Sequence, residues 1–309
     1  MATKALKVLP VTPFSPIVQL TVDGLNSRHS QRLYERALYD FLTWYAEAQP
    51  DGLTRATVSR YLAHMRDDQQ MAPPYINLRL VAIRRLVRES SMNGLLSDAT
   101  AIAIERIHGV PQEGKRLGNW LTKAQAQELL DQPDIARTKG LRDRAMLAVL
   151  IGCGLRREEA SHLNMEHLQQ RENHWAIVDM IGKRRKVRTV PMASWTKTAI
   201  DQWTERAGIT SGAVFHSMDR GDHVTAARLS PQAIMDMVRS YAFDLGVPGL
   251  APHDLRRTFA KLAYRGGAPL DQISLSLGHE SIETTQKYLG IEQDFSQAPC
   301  DQLGLGLAA

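Results

Sequence analysis

Residues 175–192, WAIVDMIGKRRKVRTVPM, decide the fold class. Two runs rich in β-branched residues, WAIVDMI and VRTVPM, flank the turn GKRRK, and that pattern predicts a β-hairpin. A short apolar piece at 213–217, AVFHS, predicts an added edge strand. Nearly everything else carries a helical period, so the expectation is a mainly α chain with a small β-hairpin or sheet, an α+β fold. The hairpin tip sets Lys183, Arg184, Arg185 and Lys186 side by side. Four adjacent cations repel one another unless an anion joins them. A phosphate backbone is the natural anion; a merely solvated basic turn is the bland alternative.

Upstream of the hairpin the chain divides. Residues 1–24 hold three prolines and no helical period, and read as an extended arm. Helices follow. Leu33, Ala37, Leu38, Phe41 and Tyr45 form one stripe, and Val58, Leu62 and Met65 a second, behind Thr54 as N-cap. Ile76, Leu80, Ile83 and Val87 form a third, closed by Asn93-Gly94. A weaker helix covers 98–107. Arg84, Arg85 and Arg88 lie off the third apolar stripe, either as a DNA-contacting face or as a solvated one. Residues 25–108 are therefore expected to form a helical bundle, and HGVPQEGKRLGN at 108–119 reads as a linker, giving a boundary at 109–119. Helical patterns resume at Thr122, run through the apolar GLRDRAMLAVLIGCG, and after the hairpin cover about 194–207, 230–245, 252–265, 270–277 and 281–289.

Bulk composition excludes some classes. The 309 residues are 43% apolar and 23% charged, an ordinary globular balance. No run of about 18 apolar residues suggests a membrane span. The N-terminus lacks a secretory h-region, and two cysteines, Cys153 and Cys300, fit no metal or redox spacing, so a cytoplasmic location is expected. Cys153 reads as a small buried thiol. Net charge is +5, with both halves close to balance. Any anion site must come from local clusters.

Three such clusters follow from helix starts and joints. In HDLRRTFAKLAYRGG, Pro252 opens a helix whose stripe is Leu255, Phe259 and Leu262. At about 100° per residue, His253 and Arg256 are expected to point away from that stripe, at the positive helix end where oxyanions bind. In GCGLRREEASHL, Gly154 ends one helix and Arg156 opens the next, with Glu159 three residues on as an orienting carboxylate or a plain surface pair. In LGHESIETTQKYLG, Gly278 ends a helix, His279 sits in the joint and Ser281 caps a helix with a thin inner stripe, Ile282, Thr285 and Leu289. Tyr288 stands at its edge.

Taken in order, the arginine, hairpin lysine, His-x-x-Arg, Gly-His and tyrosine resemble the tyrosine recombinase (phage integrase) family. The resemblance spans about 120–290 and rests on GCGLRREEASHL, IGKRRKVRTVP, HDLRRTFA and LGHESIETTQKYL. Size and layout are similar to the Xer-type members. The resemblance implies a two-domain C-shaped DNA clamp: a core-binding domain at 25–108, a catalytic domain at 120–292, and a tail at 293–309 that docks on a neighbouring subunit. It implies a site-specific DNA recombinase that cuts and rejoins double-stranded DNA through a 3′-phosphotyrosyl link. Tyr288 would be the nucleophile, and Arg156 and Arg256 the phosphate clamp. His253 would assist proton transfer, His279 would bond the phosphate, and Lys183 would protonate the leaving 5′-oxygen. Two arginines replace a metal, so no metal and no cofactor are expected. A tetramer on paired DNA sites, from free monomers or dimers, is the implied assembly. The sequence departs from the family pattern at Arg184-Arg185, where small residues are usual, which keeps Lys186 open beside Lys183. It also carries the Arg256-Arg257 doublet, in which Arg257 is an added phosphate contact or a surface residue. A DNA-relaxing type IB topoisomerase and a DNA-binding protein without catalysis are the competing readings.

Overall fold

Residues 138–152 form α7 (Thr138–Gly152), a helix buried on nearly every face from Leu141 to Ile151. Such a helix must be wrapped by others, and the computed structural model shows how. It describes residues 15–48, 50–111, 119–182 and 187–290, and the chain divides into two compact units, one up to Arg116 and one from Leu117.

The first unit is helical: α1 (Ser15–Asp23), α2 (Arg28–Ala48), α3 (Arg55–Ala63), α4 (Pro73–Met92) and α5 (Asp98–Glu105). Thr54 caps α3 by accepting the Thr57 N–H, and Ser97 caps α5 in the same way. Helix α4 is central, packing on α1, α2 and α5. The core holds Leu38, Phe41, Val58, Met65, Ile76, Leu80, Ile83 and Val87, close to the expected stripes. Leu33, expected inside, is exposed. The extended arm also needs correction. Residues 15–23 are helix, with Ile17, Val18 and Val22 buried. Pro16 lies in the first turn, where a missing N–H breaks no helical bond. The rest of the arm, 1–14, lies outside the described residues.

In this unit Arg84 and Arg85 bond to their own domain. Arg84 donates to the Ile107 carbonyl, and Arg85 donates to the Thr21 and Gly24 carbonyls at 3.1 and 2.8 Å. They tie the ends of α1 and α5 to α4. Arg88 is exposed and pairs with Glu105 at 2.8 Å.

In the second unit, α7 is flanked by α6 (Lys123–Asp131), α9 (Ser194–Ala207), α10 (Pro231–Asp244) and α11 (Pro252–Arg265). The short α8 (Arg157–Ser161) follows α7, and α12 (Leu270–Leu277) and α13 (Ile282–Leu289) close the unit. The expected hairpin is the larger part of a three-stranded antiparallel sheet: β1 (Leu168–Arg171), β2 (His174–Ile181) and β3 (Val187–Met192), in that order. The register places Leu168 opposite Ile177 and Ile177 opposite Val190. β1 and β2 are joined by Glu172-Asn173, both at positive φ, the conformation of a two-residue type I′ turn. The predicted edge strand does not join this sheet. β4 (His216–Met218) pairs with β5 (Val224–Arg228) in a separate ribbon. Cys153 is buried, and burial pushes its thiol up to about 12, so it is inert packing. Among the described residues, no helix is long and apolar enough to cross a membrane.

Candidate active site

The polypeptide turns through positive φ twice to build the site. Gly154, φ +60°, turns the chain from α7 into α8, and Gly278, φ +61°, ends α12. Only glycine adopts this region without strain. Space is short as well: a Cβ on Gly154 would stand 2.6 Å from the Phe259 ring, and one on Gly278 would stand 2.9 Å from Arg188 Cδ.

The first turn delivers Arg156 as the residue before α8. Glu159 reaches back to it, accepting the Arg156 backbone N–H at 2.8 Å and its Nη1 at 2.7 Å. The surface-pair alternative fails here because Glu159 is only 5% exposed. Arg188, on β3, binds the same carboxylate bidentately, Nη1 to Oε1 at 2.9 Å and Nη2 to Oε2 at 2.8 Å. Burial raises the Glu159 carboxyl, but the two guanidiniums outweigh it and hold the group below the usual range.

Arg256 corrects the helical-wheel expectation. It does not point to solvent; it is 1% exposed. Its guanidinium donates to the Gly154 carbonyl at 2.7 Å and to the Leu277 carbonyl, so one side chain joins both glycine turns. Its Nη1 lies 3.9 Å from Glu159. Burial first, then the neighbouring Arg156 charge, lower it to about 10, which leaves it charged at neutral pH.

The second turn delivers His279 and Tyr288. Ser281 caps α13, accepting the Thr284 N–H at 3.2 Å. Thr285 and Leu289 are buried as expected, while Ile282 is exposed. The His279 Nδ1 bonds the Thr285 hydroxyl at 2.8 Å. Tyr288 stands edge-on to both imidazoles, 5.3 Å from His279 and 5.6 Å from His253 between ring centres. Its hydroxyl donates to the His253 carbonyl at 3.3 Å. Arg257 lies over the tyrosine ring, 5.3 Å from its centre, where a cation is attracted to the π face.

Burial and neighbouring charges shift the titration of the group. Burial raises the Tyr288 phenol, and Arg256 and Arg257 oppose that rise. Burial, then Arg256 and Arg156, push His279 down to about 4. His253 is lowered by burial, then by Arg257 and Arg256. Both shifts favour the neutral imidazole. The structure thus gathers Arg156, Glu159, His253, Arg256, Arg257, His279 and Tyr288. Lys183, Arg184, Arg185 and Lys186 lie outside the described residues, although β2 and β3 lead to and from them. Sequence reasoning grouped Arg188 with the basic stretch at 182–188 but gave it no site role. Its local signal was a cation in phase with apolar Val190 and Met192 along the strand.

Comparison with known proteins places the chain in context. The profile described as the phage integrase family matches residues 119–294. The tyrosine recombinase XerC of Pelobacter propionicus is 31% identical over 275 residues, covering 87% of this chain and 86% of that protein. The tyrosine recombinase XerD of Vibrio cholerae is 32% identical over 265 residues, covering 82% and 83%. Among solved structures, XerH site-specific recombinase bound to palindromic difH substrate, in a post-cleavage complex, superposes with a TM-score of 0.68 at 17% identity. That match covers 85% of this chain and 76% of that one, a likeness of fold.

Proposed function

The chain belongs to the phage integrase family, and from that premise we propose how its site works as a tyrosine-type site-specific DNA recombinase. Tyr288 is the nucleophile. Its Oη attacks a backbone phosphorus, the bond from phosphorus to the 5′-oxygen breaks, and a 3′-phosphotyrosyl link remains. The phenol is a poor nucleophile at its ordinary pKa near ~10. The neutral His253 is the acceptor for its proton.

Arg156 and Arg256 stabilise the charge that builds on the non-bridging oxygens. Arg156 is the more open of the two, with 31% of its side chain exposed. Arg256 adds its charge from the buried side. In the tautomer whose Nδ1 accepts from the Thr285 hydroxyl, His279 carries Nε2–H and donates it to the phosphate. Lys183, with Lys186 as the neighbouring candidate, protonates the departing 5′-oxygen. The 3′-phosphotyrosyl ester retains the energy of the broken bond, so a 5′-hydroxyl attacking in reverse reseals the strand. The DNA partner is double-stranded, and the assembly is a tetramer on paired sites. Residues 25–108 and 120–292 are the core-binding and catalytic domains, with 293–309 as the subunit-docking tail.

One observation carries this reading: a tyrosine hydroxyl held on the His253 carbonyl, between two imidazoles and within the field of buried Arg256. The test is to incubate the protein with a pool of random duplexes, digest it, and sequence the DNA attached to the peptide bearing Tyr288. One recovered motif on that peptide is expected. Attachment elsewhere, or none, rejects the reading. A supercoiled plasmid with and without paired copies of that motif then distinguishes recombination from site-independent relaxation and from binding alone.

A further inference from the structure

Glu159 is a buried carboxylate beside the arginines that the proposed reaction needs for its phosphate. It accepts from Arg156 through two bonds and lies 3.9 Å from Arg256. With Arg156 and Arg256 as its only counter-charges, it would offset the clamp in full, because a buried carboxylate needs a compensating cation. Arg188 shares that role with Arg156. Its side chain is 10% exposed. Both terminal nitrogens bond Glu159 in the fork geometry of a strong pair. Its remaining side-chain nitrogen, Nε, donates to the Ser276 carbonyl at 3.0 Å. Its Cδ backs directly onto Gly278, the residue before His279. One strand residue thus spans Arg156's carboxylate partner and the turn that carries the second imidazole.

We infer that Arg188 is a positioning residue for strand cleavage, sharing Glu159 so that the carboxylate does not offset Arg156 and Arg256 in full, and fixing the turn that presents His279. The inference rests on the recombinase reading above. Arg188 does not touch the reacting atoms. It acts through Glu159 and the Ser276–Gly278 backbone.

The test measures single-turnover adduct formation on the duplex recovered from wild-type adducts, with duplex affinity measured in parallel. Arg188→Met is expected to bind within about threefold of wild type and to cleave about 50-fold more slowly, because the whole Glu159 charge then falls on Arg156 and Arg256. Adding Glu159→Gln in the same chain removes that charge. The double variant is expected to cleave about tenfold faster than Arg188→Met alone. A residue of merely structural value gives no such recovery. Arg188→Met cleaving at near wild-type rate, or a double variant no faster than the single, overturns the inference.

Should Arg188→Met not fold, Arg188→Lys replaces it. Lysine keeps the charge but neither the two-bond fork to Glu159 nor the Nε bond to Ser276, so about tenfold slower cleavage at unchanged affinity is expected. A wild-type rate overturns the inference. Failure of the recombinase reading looks different: wild type itself then forms no adduct through Tyr288, and this inference falls with it.

Discussion

Tyr288 meets His279 edge-on, with 5.3 Å between ring centres, although the joint after α12 and most of α13 separate them along the chain. Thr285, wholly buried in α13, bonds His279 at the joint and so ties the start of the helix to the residue it must present. The half-buried phenol therefore stands between two histidines, edge-on to each ring.

Tyr288→Phe removes only the hydroxyl that donates to the His253 carbonyl. Duplex affinity is expected to stay near wild type while covalent adduct disappears. Denaturing electrophoresis of labelled DNA with the variant checks this, and a retained adduct would assign the nucleophile elsewhere.

Arg156→Ala and Arg256→Ala are each expected to slow cleavage by about 100-fold or more, on the order of ~3 kcal/mol. They differ in stability. Arg256 satisfies the Gly154 and Leu277 carbonyls in the interior, and an unsatisfied buried acceptor costs about 1–3 kcal/mol. Urea unfolding is therefore expected to show a clear loss for Arg256→Ala and a smaller one for Arg156→Ala. Equal losses would contradict the tie between the two turns.

Gly278→Ala and Gly208→Ala form a controlled pair. Both positions have nearly the same positive φ, +61° and +65°, but a Cβ at 278 meets Arg188 and one at 208 meets open space. Gly208→Ala is expected to cost only the left-handed strain, about 1–2 kcal/mol. Gly278→Ala is expected to lower the melting temperature further and to slow cleavage as well, by displacing Arg188 or His279. Identical melting temperatures and rates would show that Arg188 yields freely.

His279 carries a pH signature. Its folded pKa is depressed to about 4, by burial first and then by Arg256 and Arg156, against about 6.5 in an unfolded chain. Between those values the unfolded chain binds the extra proton. The stabilising contribution is therefore full above about pH 6.5 and is lost as pH falls towards 4. Proton NMR of the His279 ring is expected to titrate near 4 in the free protein and to move upward with duplex DNA, whose phosphate offsets the arginines. A ring that titrates at its ordinary value in the free protein would contradict the enclosed site.

Much of this molecule was legible from local pattern. The 3.6-residue period located the helices, and α11 and α12 run over the expected residues, because an amphipathic stripe and its caps are written within a few turns of chain. β1 escaped notice because its turn is Glu172-Asn173, without the glycine that usually marks a type I′ hairpin. The helix at 15–23 escaped because three nearby prolines masked a short apolar stripe that becomes stable only against α2 and α4. The motif residues were found as separate pieces, since a helix start or a Gly-His joint announces an anion site through its own backbone.

What the sequence by itself determined is the set of elements, the order of the reactive groups and the family they resemble. Tertiary structure alone decided which arginine is buried, and that Glu159 serves Arg188 as well as Arg156. The reason is physical. Burial of Arg256 follows from α12 ending beside Gly154, and the Arg188 fork follows from β3 packing against α12. Those contacts cross 102, 21, 29 and 88 residues of chain. No periodicity records such distances; only the closed packing of the unit brings the charges together.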